Sequence, residues 1–256
     1  MRSQDPWCWC HACWVRRRRR FAVAVIALLI AAAMLLHGHA QPHQIKPAPT
    51  PTTKATRPHA ARQPPAQHVS TSLAAAAQNL TWVSFHGMQL PASASAGPRR
   101  TRGGLASGFA DTPQGALLAA MNIGVRTAAQ WGTAIFKPTI TRQVTGPDTA
   151  ALLQAETTAY AQLRAAAKVR PGQPAGQGYA AETGYRFVTW SPAAATVDVV
   201  TAGPSATGTT VLASTRIEVL WLDGDWRVVA PPGGNWANAS TAITSPSGYT
   251  LFPGER

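Results

Sequence analysis

The stretch IEVLWLDGDWRVVA, residues 217–230, decides the fold class because its pattern predicts a β-hairpin. The dipeptide Asp223-Gly224 is the strongest short signal for a two-residue hairpin turn. With Leu222 placed opposite Asp225, three cross-strand pairs fall on one face: Trp221 with Trp226, Val219 with Val228, and Ile217 with Ala230. These pairs predict a sheet that packs this face against a hydrophobic core.

Four strands are predicted in the second half of the chain, and the last two of them form this hairpin: Tyr185–Trp190, Ala195–Thr201, Thr209–Leu222 and Asp225–Ala230. An earlier strand is predicted over TWVSFHGMQLP, residues 81–91, from its alternation and its Trp, Val and Phe residues. The C-terminal segment, residues 231–256, is predicted to be irregular. Three aromatic residues are expected to hold it: Trp236, Tyr249 and Phe252.

Two helices are predicted between the earlier strand and the four later ones. The first follows Asp111 or Thr112, either of which can cap free amides, and Pro113 suits its first turn. Its buried face is predicted to be Leu117, Ala120, Met121, Gly124, Ala128 and Trp131. The small residues in the middle of that face let another element approach closely.

The second helix is predicted to follow Asp148 or Thr149 and to end before Pro171. Its buried face is predicted to be Leu152, Ala155, Ala159 and Leu163. The order strand, helix, helix and then a meander predicts an α+β domain, with helices packed on one face of a curved antiparallel sheet.

A glycine-rich loop precedes the first helix and raises the question of a phosphate site. The stretch GGLASGFADTPQGALLAAMN spans residues 103–122. Gly103, Gly104 and Gly108 match neither of the common phosphate-loop spacings. Asp111 at the start of the helix would also repel an anion. We therefore interpret this loop as the way the helix begins.

The net charge of +13 is concentrated in the first part of the chain. Residues 1–110 carry 13 of the 23 Lys and Arg residues and one acidic residue, Asp5. Residues 111–256 carry ten basic and nine acidic residues. A domain that binds nucleic acid should concentrate basic residues on its fold. We therefore expect no direct contact with nucleic acid.

Residues 21–40 are predicted to form a single membrane helix. The arginines at 16–20 should keep its N-terminal side in the cytoplasm, which places the later residues outside. The same segment also fits a signal peptide cut after Ala40, because Gly38 and Ala40 are small. The Pro, Ala and Thr residues of segment 41–78 predict a disordered linker.

The cytoplasmic tail, residues 1–20, contains every cysteine of the chain. Cys8, Cys10, His11 and Cys13 could form a soft-metal set in a reducing compartment. Their spacing is tighter than the usual C-x2-C pair, and no second half-site follows. We expect a short tail whose Trp side chains sit in the membrane interface, and no metal or cofactor.

The whole organisation resembles the bitopic scaffold proteins of type IV secretion and conjugation machines, including the TcpC-like proteins. Locally, QLPAS at residues 89–93, Gly97-Pro98 and GFADTPQGA at residues 108–116 resemble an uncharacterised family of actinobacterial integrative and conjugative elements. The resemblance covers about residues 80–230. It implies a nuclear transport factor-like (cystatin-like) cone over residues 79–230 and a non-enzymatic scaffold in the cell membrane.

The partners that the resemblance implies are other subunits of the transfer apparatus, and a homo-oligomer is one arrangement that stays open. From polarity, we expect the interaction surface on the wetter face of the hairpin, around Glu218, Leu220 and Arg227. The groove beside the first helix is the alternative.

Two other classes of function remain open. One is a secreted or wall-associated protein that binds a small ligand. The other is an isomerase-like enzyme of the same cone fold, with a carboxylate base and tyrosine donors. Histidine and cysteine are absent from Gly87 onward, so the candidate residues are Asp198, Glu156, Glu182, Tyr160 and Tyr185. Because Val197 and Val199 flank Asp198, its side chain is predicted to point away from the core.

Overall fold

A β-hairpin, three α-helices and a meander of long strands make up residues 73–205 and 208–253, which a computed structural model describes. The α+β class predicted from the sequence is confirmed. The predicted tail and membrane helix, as well as most of the predicted linker, lie outside the described residues. Among the described helices, none has both the length and the apolar composition to cross a bilayer.

The first element is a hairpin of two strands, β1 (Thr81–Phe85) and β2 (Met88–Ala92). The sequence predicted one continuous strand here, which is wrong. His86 and Gly87 both have positive φ, 48° and 91°, as a tight two-residue hairpin turn requires. The chain therefore reverses at His86, and the two strands form a small sheet of their own.

Helix α1 spans Pro113–Arg126 and begins as predicted. The Thr112 hydroxyl oxygen accepts a hydrogen bond of 3.1 Å from the Gly115 N–H, and Pro113 occupies the first turn. The predicted single buried face is wrong, because Leu118, Ala119 and Ile123 are buried as well. The helix lies between the large sheet, β2 and the next helix, so nearly every side is covered.

The close approach predicted for the middle of α1 is present. A Cβ atom built on Gly124 would lie 3.3 Å from the Ile217 side chain of the large sheet. Ala128 and Trp131, which were predicted on the same helical face, lie beyond the helix end at Arg126. Trp131 is nevertheless buried, and its indole N–H donates to the Val125 carbonyl at 2.6 Å.

Helix α2 spans Thr133–Gln143 and was not predicted. Its threonine and isoleucine residues and its internal Pro138 disfavour a helix in isolation, so packing rather than propensity stabilises it. Phe136 and Ile140 are fully buried in the core. A two-residue strand, β3 (Val144–Thr145), follows directly.

Helix α3 spans Thr149–Ala167, and Lys168, which follows it, adopts the left-handed conformation. Its predicted face is partly wrong. Leu152 is buried, as expected, but Ala155 is exposed and Tyr160 takes its place in the core.

The remaining six strands complete the large sheet: β4 (Ala181–Ser191), β5 (Ala194–Pro204), β6 (Thr210–Leu222), β7 (Asp225–Val229), β8 (Ser240–Ile243) and β9 (Thr250–Leu251). Their order is β3-β7-β6-β5-β4-β9, and β8 pairs with the first half of β6. The prediction of an antiparallel sheet needs correction, because β3 runs parallel to β7 and the sheet is mixed.

The β6–β7 hairpin has the predicted register. Leu222 pairs with Asp225, Trp221 with Trp226, and Val219 with Val228. The last predicted pair, Ile217 with Ala230, is not a strand pair because β7 ends at Val229. The inner face of the sheet packs on α1 and carries its buried residues: Val197, Val199, Ile217, Val219, Trp226 and Val228.

The C-terminal segment is more ordered than predicted, since β8 and β9 both join the sheet. The two strands lie at different places, β8 beside β6 and β9 beside β4. Residues 244–249, which we call the strap, therefore cross the outer face of the sheet between them. Within the strap, the Tyr249 hydroxyl lies 2.9 Å from the Ser214 hydroxyl of β6. The Arg186 guanidinium of β4 lies 4.6 Å from the Tyr249 ring centroid.

The other two predicted anchors also hold this segment to the domain. The Trp236 indole N–H donates to the Thr127 hydroxyl at 2.9 Å. Phe252 is buried against Tyr185, with 5.3 Å between the ring centroids. Near the N-terminal end of the described residues, Ala76 and Ala77 lie in the predicted linker but are buried in the core.

Candidate functional sites

Asp198 lies on the outer face of the sheet, on the side away from the helices, as the sequence predicted. Its carboxylate accepts hydrogen bonds from Arg186 Nη2 at 2.7 Å and from Arg216 Nε at 2.8 Å. The side chain of Asp198 is only 3% exposed, whereas those of Arg186 and Arg216 are 46% and 56% exposed. The carboxylate is thus buried beneath two arginines that remain in contact with water.

These contacts decide the ionisation of Asp198. Burial alone would raise the pKa of its carboxyl, but the hydrogen bonds and charges of Arg216 and Arg186 outweigh burial and lower the pKa. A carboxylate held in this way is a weak proton acceptor. It cannot act as a general base without losing both ion pairs.

Glu156 and Tyr160 lie on α3, far along the chain from Asp198, and each makes a structural hydrogen bond. Glu156 Oε2 accepts the Ala129 N–H at 2.7 Å. Burial raises the pKa of Glu156 to about 7, although the bond from Ala129 acts to lower it. The Tyr160 hydroxyl donates to the Gln173 carbonyl at 2.9 Å, which ties the segment after α3 back to the helix.

The remaining two candidates lie on β4. The Tyr185 hydroxyl lies 3.1 Å from the Leu73 carbonyl oxygen and 2.9 Å from that of Ala74. Burial raises the pKa of Tyr185. Glu182 is buried, and its charge acts on Arg126 of α1. The structure therefore does not bring the five candidate residues together at one site.

The glycine-rich loop before α1 does bind an anionic group, but that group belongs to the protein. The Gly108 and Phe109 N–H groups donate to the Asp225 carboxylate at 2.7 and 3.1 Å. In the sequence, Asp225 stands out only as the residue that follows the Asp223-Gly224 turn and pairs with Leu222. Since Gly108 and Asp225 are 117 positions apart, no local spacing could have indicated this contact.

The predicted interaction residues, Glu218, Leu220 and Arg227, lie together on the outer face of β6 and β7. Glu218 is exposed, and the other two are half-buried. Arg227 donates to the Arg142 carbonyl and lies 3.5 Å from the Asp223 carboxylate. Leu222, 39% exposed, extends the same face toward the turn.

A cleft of about 330 Å³ lies beside α1, where a groove was expected from the sequence as the alternative interaction surface. We call it the Arg126 cleft. Its walls come from the first hairpin, the loop after β2 and helices α1 and α2, and include Val83, Leu90, Leu105, Ile135, Asn122 and Arg126. None of the five acid–base candidates is among its lining residues.

Arg126 is buried, with 5% exposure. Its Nη1 donates to the Asn122 backbone carbonyl at 2.8 Å and to Asn122 Oδ1 at 2.9 Å. The guanidinium also lies 4.3 Å from the Phe85 ring centroid. Burial lowers the pKa of Arg126 to about 10, while the charge of Glu182 acts to raise it. The side chain therefore stays charged at neutral pH.

The family model for DUF8175, a domain of unknown function, matches residues 42–251. The chain belongs to the DUF8175 family. Searches of curated proteins and of solved structures found no match to the chain. The DUF8175 match begins inside the predicted linker and ends at the last residue of β9, so it contains all the sites described above.

The chemistry open to this DUF8175 chain follows from these positions. Within residues 73–205 and 208–253, no three His, Cys, Asp or Glu side chains are grouped so that they could hold a metal ion. The cysteine and histidine set at Cys8–Cys13 lies outside the described residues. What the described part offers is a partly open sheet face and a cleft with a buried cation.

Proposed function

We propose that this DUF8175 chain is a non-catalytic scaffold subunit, anchored in the cell membrane by residues 21–40, that assembles with other subunits of a conjugative or type IV secretion-like apparatus. The resemblance to bitopic scaffold proteins supports this proposal. The finer description of the domain as a nuclear transport factor-like cone is part of the same proposal.

The observation that carries the proposal is the division of the outer sheet face into two halves. The strap covers the half that contains Asp198 and Val200, and both residues are buried. The half around Glu218, Leu220 and Leu222 is left partly exposed among the described residues. A face that mixes charge with exposed leucine is suited to reversible contact with another protein.

The positions of the acid–base candidates also favour binding over catalysis. A general base must lie within hydrogen-bond reach of its substrate and have a suitable pKa. Asp198 is held in two ion pairs, Glu156 binds a backbone N–H, and the hydroxyls of Tyr160 and Tyr185 bind carbonyls. Each group has a role within the fold.

The test is crosslinking in cells of the C-terminally tagged full-length protein, followed by capture from the membrane fraction and mass spectrometry. The expected result is recovery of transfer-apparatus subunits together with an intact N-terminus. Leu220→Asp and Arg227→Glu should each reduce this recovery at least about tenfold, as loss of a contact worth about 1.4 kcal/mol does.

Two variants serve as matched controls. Leu251→Asp makes the same change at an exposed leucine of β9, and Arg170→Glu makes the same charge reversal beyond α3. Both should leave recovery unchanged. Equal recovery for all four variants would exclude the outer face. A chain that begins at Gln41 and is recovered alone outside the membrane would instead support the secreted small-ligand-binding alternative.

A further inference from the structure

The Arg126 cleft contains a buried cation that lacks a close counter-ion within the part of the chain that the structure describes. No carboxylate oxygen of the described residues lies within 4.0 Å of its nitrogens, since the ion pairs found there involve Arg186, Arg216 and Arg227. Glu182 acts on Arg126 only from farther away. A buried charge is normally paired, because removing it from water is costly.

The hydrogen bonds of Arg126 do not use all the N–H donors of its guanidinium. Nη1 is held by Asn122, whereas Nε and Nη2 have no acceptor among the described residues. Asn122 is itself fixed, because its side-chain amide donates to the Pro91 and Leu118 carbonyls at 2.9 and 3.1 Å. The guanidinium is therefore held by Asn122 and by the Phe85 ring, with one edge still able to donate.

The lining of the cleft limits which ligands could bind to this edge of the Arg126 guanidinium. Arg126 is the one charged residue among the lining residues, and Val83, Leu90, Leu105 and Ile135 make the walls largely apolar. A volume of about 330 Å³ suits a small organic molecule. A single guanidinium would leave one charge of a phosphate dianion unpaired, whereas it balances the charge of a carboxylate and matches its planar geometry.

We propose that the Arg126 cleft binds a small organic monocarboxylate, with its carboxylate on Arg126 and its apolar part against Val83, Leu105 and Ile135. The site lies on a different part of the domain from Glu218, Leu220 and Arg227. It goes beyond the scaffold function, and either proposal can fail without the other.

The loop over the cleft is packed closely enough to hold this shape. A Cβ atom on Gly104 would lie 2.8 Å from both the Ala134 carbonyl oxygen and the Ile135 Cα atom of α2. The Thr139 hydroxyl also donates to the Gly104 carbonyl at 3.2 Å. The cleft wall is thus fixed to α2.

The test measures the binding of acetate, hexanoate and benzoate to the full-length protein by isothermal titration calorimetry. The uncharged amides of the same acids serve as matched probes. We expect saturable binding of at least one acid, with its amide weaker by on the order of 10-fold to 100-fold. If none of the three acids binds, or if the amide binds as tightly as its acid, the proposal is wrong.

Variants locate the site. Arg126→Met should remove the preference for acid over amide, whereas Arg170→Met, which removes an exposed cation, should preserve it. Arg126→Met also deletes the hydrogen bonds to Asn122 and could unfold the protein.

A second variant therefore tests the site without changing Arg126. Val83→Trp enlarges an exposed residue of the cleft wall and should weaken binding at least about tenfold. Full binding by folded Val83→Trp would overturn the proposal.

Discussion

Two carboxylates on opposite sides of the sheet respond to burial in opposite ways. On the outer face, two arginines surround Asp198 and lower its pKa. In the helical layer, Glu156 receives one backbone N–H bond, and burial raises its pKa to about 7. Burial acts in the same direction on both groups, so the difference comes from the charged neighbours.

The comparison teaches how to interpret a buried ionisable group. Asp198 is charged, and its two ion pairs compensate this charge, so its role is structural. Glu156 gains a proton near neutral pH, which makes the domain sensitive to pH. Arg126 is a third case, because it stays charged while no carboxylate of the described residues approaches within 4.0 Å.

The largest effect is expected from Asp198→Asn, which leaves Arg186 and Arg216 facing each other without the charge between them. Breaking a buried pair by removing one partner costs about 3 to 5 kcal/mol, and the exposure of both arginines favours the lower end. Chemical denaturation should therefore show a loss of about 3 kcal/mol. Adding Arg186→Gln and Arg216→Gln should restore part of it, and a loss below about 1 kcal/mol would show that the pairs contribute little.

The next effect concerns pH and Glu156. Its pKa is raised in the folded protein, so folding favours the protonated form and stability is greatest below the ordinary pKa of 4.5. As pH rises from 4.5 to about 7, the free energy of unfolding should fall by up to about 3 kcal/mol. Glu156→Gln should remove this fall in a series of denaturation curves.

Asp198 has the opposite dependence, which provides an internal check. Because its pKa is lowered, its stabilising effect is present above the ordinary value of 3.8 and is lost as pH falls through the lowered pKa. Asp198→Asn should therefore flatten the acid side of the curve only. If it also removed the fall between pH 4.5 and 7, the assignment of that fall to Glu156 would be wrong.

A smaller effect is expected from Asp225→Asn, which tests a carboxylate that binds backbone N–H groups rather than arginines. The variant keeps one acceptor oxygen and loses the charge that strengthens the bonds from Gly108 and Phe109. We expect a loss of about 1 to 2 kcal/mol in denaturation experiments. Asp223→Asn, at the exposed turn of the same hairpin, is the control and should cost much less.

The smallest effect is expected from Tyr249→Phe, which deletes the hydroxyl that meets Ser214 and keeps the ring over which Arg186 lies. The expected loss is about 1 kcal/mol. Hydrogen exchange of β8 and β9 should increase more than that of β5, since the strap connects the two outer strands. Uniform exchange changes would contradict this local role.

Strong local signals predicted the central fold. The Asp223-Gly224 turn fixed the register of β6 and β7, and Thr112 with Pro113 predicted the start of α1. Helix α2 was missed because β-branched residues and Pro138 hide its pattern, while tertiary packing stabilises it. The first hairpin was missed because His86 is an unusual residue for a position with positive φ, although Gly87 carried a partial signal.

The sites were less predictable, because they depend on contacts between distant positions. The alternation around Asp198 correctly placed its side chain outside the core, but nothing in the sequence indicated that Arg186 and Arg216 would flank it. A groove beside the first helix was expected, but the walls of the Arg126 cleft also come from the first hairpin and α2, so its lining depends on the packing of all three.

The strap follows β1 to β7 in the chain, so the outer face of the sheet can be covered only late in synthesis. Strands β1 to β7 are all synthesised before β8 and β9, so a chain halted at Ala239 has most of the core but lacks Phe252 and the strap that covers the outer face. In that state Asp198 meets water, and the edges of β4 and β6 present unpaired backbone groups of the kind through which chains aggregate. Synthesis and docking of the last segment are therefore the steps that cover these edges and protect the domain from aggregation.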